Sequence, residues 1–218
     1  MKKLLVITGY GPGLGEALKQ RFEKDNYQVI GLSRHSDIAA DLTEASQTQA
    51  AFEQITKQYG TPDVVIHNVA ELVRGPFTKL TANDFERAWK SIVLSAINVG
   101  HAAIPSMVEQ QSGCLILTGA TASTRGGKGF APFSSAKFAL RGLAQSLARE
   151  FQPQGLHVIH TILDGIIWSD LSRNRFPSIE QKNCLQPEDI ADIYYDLAHQ
   201  KSSAWTHELD IRPQSESF

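Results

Sequence analysis

The segment TGYGPGLG, residues 8–15, follows an apolar run at residues 4–8 in a chain of 218 residues. A short continuous apolar run is typical of a parallel strand that is buried on both faces. The apolar residues that then recur at helical spacing are Leu14, Ala17, Leu18 and Phe22. The glycines therefore lie in a turn from a strand into a helix, where they allow a tight turn and a close approach of the backbone to a ligand.

Apolar runs and helical patterns alternate along the rest of the chain. Strands are predicted at residues 27–32, 63–67, 114–118, 156–163 and 204–211, and helices at residues 43–59, 84–110, 133–151 and 187–198. Residues 35–40 are too few for a helix and a strand, so one crossover is expected to be shortened, and residues 169–185 are predicted to be irregular. This order predicts an α/β fold with a doubly wound, mostly parallel sheet (a Rossmann fold) in one domain over residues 1–218.

Composition narrows the classes of function. Hydrophobic residues make up 42% of the chain and charged residues 20%, which is enough apolar surface for a folded core. The net charge of -2 argues against nucleic-acid binding. We expect Cys114 and Cys184 to be free thiols in a reducing cytoplasm, because their spacing matches no metal site. A membrane is not expected as a partner, because no stretch approaches the length of a membrane span. No metal is expected, because no pair of histidines has the HxxxH spacing on a predicted helix.

The position of the glycine turn indicates a dinucleotide. The start of a helix presents unpaired backbone N–H groups and the positive end of the helix dipole, and both favour a pyrophosphate. A cofactor with a free ribose 2′-hydroxyl favours an acidic residue at the end of the second strand. Here Ser33 and Arg34 follow that strand, and a hydroxyl beside a cation suits a 2′-phosphate. The sequence therefore favours NADP as the cofactor, with NAD as the alternative.

Several segments, in the same order along the chain, resemble motifs of the short-chain dehydrogenase/reductase family. Residues 8–15 resemble its TGxxxGxG loop, and residues 41–42 (DL) resemble its adenine-contacting pair. Residues 67–70 (HNVA) resemble its NNAG motif, and residues 164–169 (DGIIWS) resemble its PGxxxT segment, with Asp164 in place of the proline. The resemblance covers nearly the whole chain and implies a cytoplasmic NADP(H)-binding oxidoreductase.

The resemblance also implies roles for individual residues. Asn68 would brace the sheet and Ala70 would lie near the ribose, while the Ile167 backbone would hold the carboxamide and Ser169 the diphosphate or the amide. The glycine turn, the strand ends and the resemblance together predict these cofactor-binding residues: Thr8, Gly9, Gly11, Gly13, Leu14, Gly15, Ser33, Arg34, Asp41, Leu42, Asn68, Ala70, Lys137, Gly165, Ile167 and Ser169.

The chain departs from the family at its catalytic positions. The segment that resembles YxxxK reads FSSAK, so Phe133 stands where the family has the tyrosine that exchanges a proton with the substrate. Residues four apart share one face of a helix, which places position 133 beside Lys137. The family's serine aligns with Ala120, next to Thr121, and its asparagine aligns with Ile92. Lys137 is therefore the one family catalytic residue that is retained.

Three hypotheses follow from these departures. The first is an active carbonyl reductase, acting on a small carbonyl compound or alcohol, in which another group replaces the tyrosine. Candidate catalytic residues are then Lys137, Thr121 and Ser134, which lies three residues before the lysine. The second is a protein that binds NADP(H) without turnover and acts as a regulator or sensor, and the third is a non-redox enzyme. The resemblance also implies a homodimer or homotetramer assembled through the helices predicted at residues 84–110 and 133–151.

Overall fold

Seven parallel strands form one sheet in the computed structural model, which describes residues 2–36 and 38–216. The strands are β1 (Leu4–Thr8), β2 (Gln28–Ser33), β3 (Ile38–Ala39), β4 (Val64–His67), β5 (Gly113–Thr118), β6 (Leu156–Leu163) and β7 (Glu208–Ile211). Their order across the sheet is β3-β2-β1-β4-β5-β6-β7, and every neighbouring pair is parallel. The doubly wound parallel sheet expected from the sequence is confirmed.

Helices cover both faces of this sheet. They are α1 (Leu14–Lys24), α2 (Ala45–Tyr59), α3 (Ala82–Trp89), α4 (Ser95–Glu109), α5 (Ala131–Phe151), α6 (Asp170–Arg175) and α7 (Pro187–Ala198). The pair α1 and α7 packs on one face, whereas α2 to α5 pack on the other. Along β1, Leu4 and Val6 enter one apolar core and Leu5 and Ile7 enter the other, because successive side chains of a strand point to opposite faces. The continuous apolar run at β1 is thus buried on both sides.

The strand order creates a crevice beside β1. The chain leaves β1 through α1 to reach β2 on one side, and it later returns through α2 to β4 on the other side. In open parallel sheets, ligands bind at such a switch point, outside the carboxyl ends of the strands. The glycine turn after β1 and the segment after β4 lie at that edge.

The helix predicted at residues 84–110 is interrupted. A wider π-type turn, Lys90–Leu94, separates α3 from α4, and such turns are frequent at functional sites. By length and composition alone the stretch Ala82–Glu109 could cross a membrane, contrary to the expectation from sequence. More than half of its apolar window is buried inside the fold (56%), as in the core helix of a water-soluble domain.

Two connecting segments test the remaining expectations. The shortened crossover at residues 35–40 is confirmed, since β2 passes through a turn into the two-residue β3; Asp37 lies outside the described residues. The prediction that residues 169–185 are irregular is wrong for α6, where the Ser172 N–H donates to the Ser169 hydroxyl (3.1 Å) and caps the helix.

The last strand is shorter than predicted: it covers Glu208–Ile211, and Ala204 belongs to the single turn Ser202–Ala204. Both cysteines are free and buried, as predicted.

Candidate functional site

The glycine turn is held between β2 and β4. The Gly9 N–H donates to the Leu32 carbonyl at the end of β2 (2.9 Å). Gly9 has a φ of 75°, and a Cβ atom at this position would lie 2.8 Å from the Asn68 carbonyl oxygen. A side chain would therefore force the turn away from the segment after β4. Only glycine lets the chain pass through this narrow space at the switch point.

The first turn of α1 opens onto the same edge of the sheet. Gly13 precedes the helix and has no side chain to cap it, so the first N–H groups keep their capacity for a ligand. Leu14 and Gly15 are buried in this turn and therefore offer only their backbone. A Cβ atom on Gly13 would lie 3.6 Å from the Ser169 Cβ, so Ser169 borders the helix start. The arrangement is a cradle of the right polarity for a diphosphate.

A cavity of about 1040 Å³ extends from the glycine turn towards β2 and α3. The predicted cofactor residues that line it are Gly9, Gly11, Ser33, Arg34, Asp41, Leu42, Asn68 and Ala70. These residues lie at the ends of four strands, β1 to β4, which the fold brings around one space. We call this part of the site, at the ends of β1, β2, β3 and β4, the nucleotide half.

Arg34 is a charged residue that lines this cavity. Its side chain is exposed and makes no hydrogen bond or ion pair with any residue that the structure describes. Asp41, nearby, accepts hydrogen bonds from the Thr43 hydroxyl (2.8 Å) and N–H (3.0 Å). These bonds, and then the charge of Arg34, hold the pKa of Asp41 below its usual range. The carboxylate is thus engaged locally, and the guanidinium keeps its donors for a ligand.

The Thr8 side chain is buried and belongs to a series of hydrogen-bonding side chains that continues through His67 to Ser95. Its hydroxyl lies 2.9 Å from His67 Nδ1, and the Ser95 hydroxyl lies 3.2 Å from His67 Nε2. Burial, followed by the charge of Lys137, lowers the pKa of His67 to about 3, so this imidazole is neutral at pH 7. The sequence placed His67 in the motif at residues 67–70 but did not predict its contacts with Thr8 and Ser95, because both partners lie far from it along the chain.

The second part of the site surrounds the ends of β5 and β6, and we call it the reaction half. Lys137 is 1% exposed, and its ammonium donates to the Thr118 carbonyl (2.7 Å) at the end of β5. The ammonium nitrogen lies 5.9 Å from the centre of the Phe133 ring, so the two residues share a helix face as predicted. Burial lowers the pKa of Lys137 to about 7. The Ser134 hydroxyl is buried and has no hydrogen-bond partner among the described residues.

Thr121 is tied to Asp164 across the reaction half. Its hydroxyl donates to Asp164 Oδ1 (2.5 Å), which joins the segment after β5 to the end of β6. The same carboxylate lies 3.2 Å from the Arg212 guanidinium and 3.6 Å from that of Arg125. Ile92, in the π-type turn, is fully buried and offers no polar group. Sequence reasoning missed both arginines, because neither belongs to a local motif.

The segment after β6 presents backbone groups to the reaction half. The Leu185 N–H donates to the Ile166 carbonyl (2.9 Å), and the Trp168 N–H donates to the Leu185 carbonyl (2.8 Å). Because successive backbone groups of an extended segment point to opposite sides, the N–H and C=O of Ile167 point away from Leu185. Gly165 leads into this segment and Ser169 ends it as the cap of α6. The geometry leaves the Ile167 amide available for a carboxamide.

Comparison with known proteins yields one family and several whole-chain similarities. The family model described as short chain dehydrogenase matches residues 3–179. An uncharacterized oxidoreductase of Staphylococcus aureus is 22% identical over 227 aligned residues, which cover 97% of each chain. A short-chain dehydrogenase structure from Rhodopseudomonas palustris is 28% identical, with a TM-score of 0.83 over 97% of this chain and 98% of that one. A Tyr-to-Phe variant of ElxO with NADPH bound is 23% identical, with a TM-score of 0.86 over 96% and 97%.

Proposed function

The chain belongs to the short-chain dehydrogenase family, and we propose that it is an NADP(H)-dependent oxidoreductase that acts on a small carbonyl compound or alcohol through an altered active site. The observation that carries the proposal is the nucleotide half: a cavity at the switch point that is lined by the glycine turn and by Arg34, which has no ion pair with any described residue. The NADPH bound to the Tyr-to-Phe ElxO variant, a chain of the same fold, supports the choice of cofactor.

The residues present fit this cofactor. Ser33 and Arg34 would hold the 2′-phosphate, because a guanidinium pairs with phosphate through two parallel hydrogen bonds. The first turn of α1 would hold the diphosphate, and the Ile167 amide would hold the carboxamide. The bound cofactor, when reduced, supplies a hydride to a carbonyl carbon. The chain must then supply a proton to the carbonyl oxygen, so that an alcohol and oxidised cofactor result.

We assign that proton to Lys137. Phe133 has no proton to give, and the hydroxyl hydrogen of Thr121 is directed at Asp164. The hydroxyl of Ser134 has no hydrogen-bond partner among the described residues through which a proton could be replaced. The Lys137 ammonium carries three hydrogens and uses one on the Thr118 carbonyl, and its pKa near 7 suits an acid at neutral pH. In reduction, Lys137 would pass a proton to the oxygen and take one back from solvent.

Direct titration tests the cofactor. We expect NADPH to bind the purified protein at sub-millimolar concentration and more tightly than NADH, followed by quenching of tryptophan fluorescence or by calorimetry. Absence of binding by either nucleotide would refute the proposal. Equal affinity for both nucleotides would contradict the role proposed for Arg34, but it would still support binding of a nicotinamide dinucleotide.

A screen of small aldehydes and ketones, run in parallel with Phe133→Tyr, tests turnover. We expect measurable oxidation of NADPH by the wild-type protein. In Phe133→Tyr, a phenol beside the Lys137 ammonium adds a second proton donor, so its rate should extend to higher pH. Cofactor binding without wild-type turnover, together with activity in Phe133→Tyr, would contradict the proposal and favour a protein that only binds NADP(H).

A further inference from the structure

Arg74 lies where three segments meet near the start of α5: the segment after β4, the segment before α5 and the segment after β6. The segment after β4 is joined to the segment before α5 by a hydrogen bond from the Gly75 N–H to the Gly129 carbonyl (2.8 Å). Beside this bond, the guanidinium carbon of Arg74 lies 5.7 Å from the centre of the Phe130 ring. It also lies 5.5 Å from the centre of the Phe176 ring, which follows α6 in the segment after β6.

The guanidinium of Arg74 has no counter-ion within the described residues. Its side chain is exposed, and the acid closest to it along the chain, Glu71, pairs with Arg87 (2.9 Å). The neighbouring cations are different, because Arg125 faces Asp164 and Arg173 pairs with Asp170. Aromatic rings orient a guanidinium without using its N–H donors. Arg74 is therefore held in place with its hydrogen-bonding capacity intact.

The location of Arg74 connects it to the reaction half. The Phe130 carbonyl accepts the Ser134 N–H (2.8 Å), so Phe130 is the residue on which α5 begins, one turn before Ser134 and next to the turn that holds Phe133. The Phe133 ring in turn lies 5.9 Å from the Lys137 ammonium. Phe130, against the exposed guanidinium, and Phe133, against the buried ammonium, are three residues apart at the start of α5. A ligand that lies along these two rings would place one end at Lys137 and the other at Arg74.

We propose that Arg74 binds a carboxylate on the substrate, and that the substrate class is a carbonyl compound with an apolar body and a carboxylate several bonds from the carbonyl. This inference rests on the proposed function, since the carbonyl is the group that Lys137 would protonate. The two rings contact the apolar body, and the forked guanidinium matches the two oxygens of a carboxylate. Lys128, an exposed residue next to Gly129 in the chain, adds a second positive charge to this segment.

A matched pair of aldehydes tests the inference. The probes are 4-carboxybenzaldehyde and its methyl ester, which share the ring and the carbonyl and differ in charge. With NADPH, we expect Arg74→Gln to raise KM for the acid by about tenfold or more, since hydrogen bonds to charged groups are of this strength. The kcat for the acid and both constants for the ester should change less than about twofold. Lys182→Gln, which removes a cation paired with Glu180 in the same region, should leave both probes unchanged.

Binding separates a failure of this inference from a failure of the proposed function. If neither aldehyde is turned over, the dissociation constants of 4-(hydroxymethyl)benzoate and its methyl ester can still be measured by calorimetry on the NADP-loaded protein. Weaker binding of the acid alone in Arg74→Gln would support the carboxylate site. An equal change for acid and ester, or no change for either, would overturn it, provided that the thermal melting of the variant matches that of the wild type.

Discussion

The nucleotide half and the reaction half of the site use their polar groups in opposite ways. In the nucleotide half, the Arg34 side chain and the first N–H groups of α1 have no side-chain partner among the described residues. In the reaction half, the Thr121 hydroxyl bonds to Asp164, and Lys137 bonds to a backbone carbonyl. The resemblance to the family predicts that Phe133 takes the position of the tyrosine. The polar groups of the two halves thus differ in how far they are engaged within the protein.

The largest expected effect concerns the proton in the reaction half. Replacing Lys137 with Met removes the proposed acid, so we expect the rate of carbonyl reduction to fall roughly 10²- to 10⁴-fold. NADPH affinity should change by less than about tenfold, because Arg34 and the helix start remain. The wild-type rate should also fall as pH rises through about 7, since the ammonium then loses its proton. Stopped-flow and steady-state kinetics across pH measure both effects.

Two buried histidines near Lys137 do not titrate in that range. Burial lowers the pKa of His67 to about 3 and that of His160 to about 4, so both are neutral on either side of pH 7. Neither of these histidines would therefore account for a fall in rate near pH 7. Unchanged turnover in Lys137→Met would mean that another group supplies the proton. The comparison of the two halves could then no longer rest on Lys137.

The next effect concerns the backbone of the nucleotide half. We expect Gly9→Ala to lower the free energy of unfolding by roughly 1–3 kcal/mol, because φ is positive and the added Cβ would meet the Asn68 carbonyl at 2.8 Å. Gly11→Ala is the matched control, since no atom lies within 4 Å of its added Cβ. That variant should stay within about 0.5 kcal/mol of wild type. Urea denaturation compares the two; equal losses would contradict the geometry of the turn.

The smallest effect distinguishes the two nicotinamide cofactors. Arg34→Gln should weaken NADPH binding roughly 10- to 100-fold, which corresponds to the loss of charge-assisted hydrogen bonds to a phosphate. NADH lacks this phosphate, so its dissociation constant should change less than about twofold. Fluorescence titration of both nucleotides against wild type and variant gives the ratio. A similar loss for NADH would mean that Arg34 acts on a part of the cofactor common to both.

The sequence predicted elements better than it predicted contacts. The strand at β1, the glycine turn and the helix on either side of Lys137 follow from periodicity, and the structure confirms them. The short helix α6 was missed, because its six residues show no apolar pattern and depend on the cap at Ser169. The turn at Lys90–Leu94 was missed for a similar reason, since a helical pattern continues through it.

Within the site, residues predicted from strand ends lie together, whereas contacts between distant side chains were not predicted. The predicted residues that line the cavity follow the ends of β1, β2, β3 and β4, and strand order alone brings such residues together. The Thr8 side chain, by contrast, was assigned to the cofactor but bonds to His67, on the neighbouring strand β4. The cation site at Arg74 requires Phe130 and Phe176, and neither ring is near the arginine in the sequence.

The order of apolar runs and glycines was sufficient to identify the parallel sheet, the switch point and the cradle for a dinucleotide, because these depend on local periodicity and backbone freedom. Tertiary packing alone set the chemistry of the charged groups. The pKa of Lys137 near 7 results from burial beneath β5, and Asp164 meets Arg125 and Arg212 only in the folded chain. Desolvation and charge pairing act through space, so residues distant in sequence determine them.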